Sequence, residues 1–192
     1  MKRLLIQTSC LGIALRERDS YTEDHANRVE ILCHKLGIKC GLSSRELNRL
    51  RGAAKLHDIG KIGIPDRVLL KIGRLEDDEW EIMKRHSELG ERICQSIAHR
   101  DAEHIAKIVR HHHEYFDGTG YPDGLAGESI PISSRIISIA DSYDAMTTVR
   151  PYHTARRHHE VMEIIDNECG IKTDPMIYKH FKTIIENRMS AS

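Results

Sequence analysis

Apolar residues recur three and four positions apart along most of this chain and almost never alternate, which is the spacing of helices burying one face rather than of strands. Leu4, Leu11 and Leu15 share a stripe and predict a first amphipathic helix. Ala26, Val29, Leu32, Cys33 and Leu36 form the apolar face of the next, with Thr22 available as its cap and Gly37 as its end. Ser43 followed three residues later by Glu46 is a capping-box pattern, after which Leu47, Leu50, Ala54 and His57 fall on one stripe. Asp77 or Asp78 can cap a helix on which Ile82, His86, Leu89, Gly90 and Ile93 share a face, and Ala102, Ile105, Val109 and His112 repeat that arrangement. From Ile132 to Thr148 apolar residues lie on nearly every side, predicting a central buried helix, and Asp174-Pro175 opens a last one through Phe181 and Ile185. Two stretches break the rhythm: residues 60–73, and residues 116–131 with Gly118, Gly120, Gly124, Gly127, Pro122 and Pro131. The expectation is an all-α fold, a single compact helical bundle with one glycine- and proline-rich loop.

Composition narrows the partners. The 192 residues suit one domain, and 29 Lys+Arg against 29 Asp+Glu remove the basic field with which proteins bind duplex nucleic acid. No run approaches the ~20 apolar residues that span a bilayer. Met1-Lys2-Arg3 before an apolar run loosely imitates a signal peptide, but Gln7, Thr8 and Ser9 interrupt the run, and Arg16-Glu17-Arg18-Asp19 stands where small cleavage-site residues belong. The five cysteines are odd in number and contain no Cys-x-x-Cys, the usage of reduced thiols in a cytoplasmic protein. Histidine is the departure: 13, against two Phe and one Trp.

Those histidines interrupt apolar faces. His25 lies on the stripe of Val29, Leu32 and Leu36; His57 follows Leu50 and Ala54; His86 sits between Ile82 and Leu89; His112 follows Ile105 and Val109. One such histidine is ordinarily satisfied by a backbone carbonyl. Four of them, with Asp58 beside His57, His113 beside His112 and Asp141 in the most apolar helix, point to buried charge that is paired or coordinates metal. Seven candidate ligands, His25, His57, Asp58, His86, His112, His113 and Asp141, exceed one tetrahedral zinc and suit two metals, with a carboxylate such as Asp58 bridging cations ~3.5–4 Å apart. Such donors suit Fe or Mn and admit Zn or Ni. His34, His99, His104 and His180 fall at polar positions and read as solvated, as does the helix start Arg156-Arg157-His158-His159. Within His111-His112-His113 the residues alone leave open which two bind.

His57-Asp58-Ile59-Gly60-Lys61 resembles the HD signature of metal-dependent phosphohydrolases. His112-His113-Glu114 followed by Asp117-Gly118-Thr119-Gly120-Tyr121-Pro122 resembles the GYP signature. With Asp19 to Thr22, Arg28-Val29, Ile64-Pro65, residues 71–75, Gly90, Ile130-Pro131, Asp144-Ala145 and Arg150-Pro151-Tyr152, the ordered series resembles the HD-GYP family of cyclic di-GMP phosphodiesterases over about residues 10 to 186 of the 192.

The resemblance implies hydrolysis of cyclic di-GMP to the linear dinucleotide pGpG, and GMP on further cleavage, by a hydroxide shared between two divalent cations. It implies His25, His57, Asp58 and Asp141 on one cation and Asp58, His86, His112 and His113 on the other, with His111 left out. Asp58 and Lys61 are then the catalytic pair, Lys61 also contacting the scissile phosphate, and Gly120, Tyr121 and Pro122 shape the substrate loop. Tyr121 can stack on or hydrogen-bond to guanine, and Arg150 and His153 grip phosphate. Tyr21 stands where some members carry a glutamate for a third metal, which argues against one here. His153 stands where members often carry Lys or Arg, which makes that grip weaker and pH-dependent. An HD phosphohydrolase acting on another cyclic dinucleotide or nucleotide, and a non-catalytic binding module, are the alternatives. The family's habit of joining receiver, sensor or GGDEF-type domains allows the chain to be the output part of a longer protein, a start at Met1 fits a stand-alone protein as well, and a homodimer remains open.

Overall fold

The Ser43 hydroxyl accepts the Glu46 N–H, and the Glu46 carboxylate accepts the Ser43 N–H at 2.8 Å, so the capping box forms as its spacing requires. The helix it starts, α2 (Ser44–Leu56), follows α1 (Thr22–Lys39). A computed structural model describes residues 11–13, 15, 17–18, 22–148 and 156–189, without the side chains of residues 22, 23, 188 and 189. Tyr21, Arg150 and His153, and most of the expected first helix, lie outside the described residues, as does the Thr22 side chain.

After α2 come a 3₁₀ turn (Ile59–Gly63), α3 (Asp66–Leu69), α4 (Asp77–Lys84), α5 (His86–Gln95) and α6 (Ala102–Arg110). A second 3₁₀ turn (Gly127–Ser129), α7 (Ile132–Thr147), α8 (His158–Asn167) and α9 (Pro175–Met189) complete the order. The fold is all-α: among the described residues the only β-type pairing is an isolated bridge between Cys169 and Thr173. No helix among them is long and apolar enough to cross a membrane.

Three local expectations are corrected. First, α1 does not end at Gly37 but continues to Lys39, and the turn falls at Gly41. A Cβ at Gly37 would lie 2.7 Å from Leu47 Cδ2 and 2.9 Å from Leu50 Cδ2, so this glycine permits close packing of α1 on α2. Second, the face carrying Ile82 to Ile93 belongs to two helices, broken at Arg85. His86 Nδ1 and Ser87 Oγ there bond the Met83 and Lys84 carbonyls, competing with the helical ladder. Third, α4 is capped by Glu76, whose N–H is accepted by Glu79, not by Asp77 or Asp78.

The core is the union of the predicted stripes. Val29, Cys33 and Leu36 of α1 meet Leu50, Ala53, Ala54 and Leu56 of α2, Ile105 and Val109 of α6, Ile136, Ile137 and Ile139 of α7, and Phe181 and Ile185 of α9. Helix α7 packs on α1, α2, α6, α8 and α9, which is why its sequence is apolar on nearly every side. Leu11 packs against this core and Leu15 is buried in it. Cys33, Cys40, Cys94 and Cys169 are free thiols, and burial pushes Cys94 up to about 12.

Candidate metal centre

Helix C-termini leave carbonyls without intrahelical partners, and three histidines occupy those ends. His57, just past α2, places Nδ1 2.8 Å from the Ala54 carbonyl; His112, just past α6, does the same to Val109 at 2.6 Å; His86, after α4, to Met83 at 2.8 Å. A carbonyl only accepts, so each Nδ1 is the donor and each Nε2 presents its lone pair on the other side of the ring. The apolar stripes ending in these histidines thus deliver three imidazoles in the tautomer that binds metal.

All seven sequence-predicted ligands come together. Around one focus, His25 Nε2 stands 3.1 Å from Asp141 Oδ1 and 3.3 Å from His57 Nε2. Around a second, His86 Nε2 stands 3.4 Å from His112 Nε2, with the His113 ring 5.0 Å from that of His86 and 4.0 Å from that of His112. Asp58 joins them: Oδ2 faces His57 Nε2 at 3.6 Å and Oδ1 faces His86 Nε2 at 3.7 Å. Donors about 2.1 Å from one cation stand roughly 3.0–3.4 Å apart at octahedral to tetrahedral angles; the His25–Asp141, His25–His57 and His86–His112 pairs have that spacing, while Asp58 stands 3.6–3.7 Å from His57 and His86, and Asp141 stands 3.9 Å from His57. The donor set therefore fits two cations sharing one carboxylate.

Charge states agree with that fit. Burial, reinforced by neighbouring imidazoles, lowers His112 to about 3 and His113 well below the usual histidine range, and burial also lowers His86, leaving all three neutral. Burial alone would raise Asp58 and Asp141. Lys61 and then His57 overcome it at Asp58, while the His25 hydrogen bond and His57 overcome it at Asp141, and both carboxylates are ionised. His25 differs: burial opposes its charging, but Asp141 and Asp144 outweigh it and raise its pKa to about 9. A cation at Nε2 would replace that proton and balance Asp141 in its place.

Supporting contacts went unassigned in the sequence. Asp144 accepts from His25 Nδ1 at 2.7 Å and from Arg28 Nε and Nη2 at 2.7 and 3.0 Å. Lys61 Nζ donates to Asp58 Oδ2 at 2.7 Å. Gly60 presses the HD turn onto α5, where a Cβ would lie 1.8 Å from the His86 carbonyl oxygen. His111 turns away, its Nε2 2.8 Å from Asp123 Oδ2, a carboxylate that also receives Arg110. The buried Glu114 carboxylate accepts the N–H groups of Asp123 and Leu125 and so folds the glycine-rich loop back on itself.

In that loop the Gly120 Cα is set against backbone: a Cβ would lie 2.2 Å from Tyr115 N and 2.5 Å from the His113 oxygen. Tyr121 stacks on His113, centroids 4.8 Å apart and planes at 27°, so His113 covers one face of the tyrosine ring. Pro122 follows, half-buried. Of the histidines read as solvated, His104 is exposed, and His34, His99 and His180 are half-buried.

The family model described as "HD domain" matches residues 11–177. The cyclic di-GMP phosphodiesterase response regulator RpfG of Xanthomonas campestris pv. campestris (strain 8004) is 43% identical over 167 residues, 87% of this chain and 44% of that protein. The 3'3'-cGAMP-specific phosphodiesterase 2 of Vibrio cholerae is 35% identical over 184 residues, 94% of this chain and 35% of that protein. This chain thus spans less than half the length of these two relatives. Among solved structures, Bd1817, a HDG"Y"P protein from Bdellovibrio bacteriovorus, superposes with a TM-score of 0.70 at 22% identity, covering 88% of this chain and 53% of that one.

Proposed function

Because the chain belongs to the HD-domain family, we propose that it is a metal-dependent phosphodiesterase that hydrolyses cyclic di-GMP to linear pGpG. The observation that carries the reading is Asp58, whose two carboxylate oxygens face two separate histidine foci. His25, His57, Asp58 and Asp141 would hold one divalent cation and Asp58, His86, His112 and His113 the other, with Fe or Mn favoured by the mixed imidazole and carboxylate donors. Bound there, the pair would supply charge neutralisation at the phosphoryl oxygens and an activated water.

The chain's own groups complete the site. Lys61, held at Asp58, sets an ammonium where the scissile phosphate would sit. Asp144 and Arg28 fix the His25 ring, and the loop folded by Glu114 brings Tyr121 to the wall beside His113. Arg150 and His153 are proposed as further phosphate contacts. With tyrosine at position 21 we propose two metals rather than three, and a reaction that stops largely at pGpG. About residues 10 to 186 act as one catalytic unit. We place that unit in the cytoplasm, as the output part of a longer protein with a receiver, sensor or GGDEF-type domain, able to pair as a homodimer.

A second reading follows from the relative named as 3'3'-cGAMP-specific. Chromatography of products from cyclic di-GMP, 3'3'-cGAMP and cyclic di-AMP, with manganese- or iron-loaded protein, separates the two. The expected outcome is turnover of cyclic di-GMP with pGpG as the main product. A preference for 3'3'-cGAMP would move the substrate assignment, and no turnover of any of the three would leave a binding module.

A further inference from the structure

Helix α4 buries none of its residues, and its Trp80, the sole tryptophan of the chain, is 46% exposed. The indole is just over half covered, and the remainder is apolar surface that gains by being covered. What it stands beside is specific. The Trp80 ring meets Tyr121 edge to face with centroids 6.2 Å apart, and Tyr121 stacks on the ligand histidine His113 at 4.8 Å. Lys84, four residues on and therefore on the same face of α4, sets Nζ 5.8 Å from the Tyr121 centroid. Two ring-to-ring steps thus lead from the second histidine focus to a half-exposed indole, and the Lys84 ammonium, ion-paired with Glu81 at 2.5 Å, stands over the intervening Tyr121.

We propose that Trp80 is the stacking surface for a purine of the cyclic dinucleotide, with Lys84 flanking the base or its phosphate. The inference rests on the substrate class proposed above. His113 covers one Tyr121 face, so the tyrosine stands as a spacer between the indole and the second histidine focus rather than as the main platform. Every base offers a π-face, so a stack on Trp80 supplies affinity without choosing between guanine and adenine. Discrimination between cyclic di-GMP and 3'3'-cGAMP then belongs to other groups.

The sole tryptophan makes the test direct. Metal-loaded wild-type protein is titrated with hydrolysis-resistant phosphorothioate analogues of cyclic di-GMP and 3'3'-cGAMP while tryptophan fluorescence is read, and turnover of the natural dinucleotides is measured in parallel. Saturable quenching by both analogues is expected. Trp80→Ala should raise KM roughly tenfold, equally for whichever dinucleotides are turned over, with kcat within about twofold, the scale of one base stack; Trp80→Phe should recover most of the loss. A structural role alone would lower the thermal midpoint without this split in KM or its recovery by Phe. Hydrolysis without quenching, or an unchanged KM in Trp80→Ala, overturns the role of Trp80 and leaves the proposed activity standing. Quenching without hydrolysis supports Trp80 and overturns the hydrolase reading. Neither signal overturns both.

Discussion

His25 Nδ1 lies 2.7 Å from Asp144 Oδ2, a bond that joins α1 to α7 across 119 residues of sequence. Arg28, one turn after His25, grips the same carboxylate through Nε and Nη2. A carboxylate behind a ligand histidine fixes the ring and raises its basicity, and losing it costs about 10- to 100-fold in metal affinity or activity. Asp144→Ala should therefore weaken manganese affinity by about that factor, measured by titrating metal-free protein and following hydrolysis, with activity returning at high metal. Asp144→Asn, which still accepts from Nδ1, should fall between the two. Unchanged metal affinity in Asp144→Ala would show that His25 needs no such support.

Gly60 sits where the HD turn crosses α5. Its substitute Cβ would lie 1.8 Å from the His86 carbonyl oxygen and 2.5 Å from the Gly90 nitrogen, both backbone atoms that cannot swing aside. Gly60→Ala should cost at least about 3 kcal/mol, read as a fall of roughly 6–12 °C in thermal midpoint, because the HD turn and His86 must separate. Gly63→Ala is the internal comparison, since its nearest atom is the mobile Leu89 Cδ1 at 3.0 Å. A Gly60→Ala protein as stable as Gly63→Ala would contradict this packing.

Asp123 ties the glycine-rich loop to Arg110 and His111. The hydrogen bond from Arg110, opposed only by partial burial and aided by His111, holds its carboxyl well below the usual range. A depressed folded pKa means that the stabilisation is fully present above the unfolded carboxylate value of about 3.9 and is lost as pH falls through the lower folded value. Wild type should accordingly exceed Asp123→Asn in thermal midpoint by a constant margin from about pH 5 to 7, and the margin should shrink below about pH 4. A margin that widens on acidification would reverse the assignment.

What the sequence could show and what it could not divide along physical lines. His57 and His112 were legible because each ends an apolar helical stripe, and a polar residue there breaks a periodic pattern. His86 was legible by the same signal, although the helix around it is two: the break at Arg85 depends on side-chain bonds to the Met83 and Lys84 carbonyls, which leave no periodic trace. The clamp of Asp144 on His25 and Arg28 was invisible because pairing across more than a hundred residues has no local signature. Choosing His112 and His113 over His111 rested on resemblance, and the contact of His111 with Asp123, twelve residues on, was not legible at all. The stacking of Tyr121 on His113 was not legible either, because the closure of the loop around Gly120 leaves no trace in glycine content alone.

The central claim is that Asp58 bridges two metals that perform the hydrolysis. Its most direct test is elemental analysis of protein purified without oxygen, wild type beside Asp58→Ala, with cyclic di-GMP turnover measured on the same samples. The account predicts two metal ions per chain in the wild type, and loss of both metal and turnover in Asp58→Ala. One metal per active wild-type chain, or an Asp58→Ala protein that keeps its metals and its turnover, would contradict it.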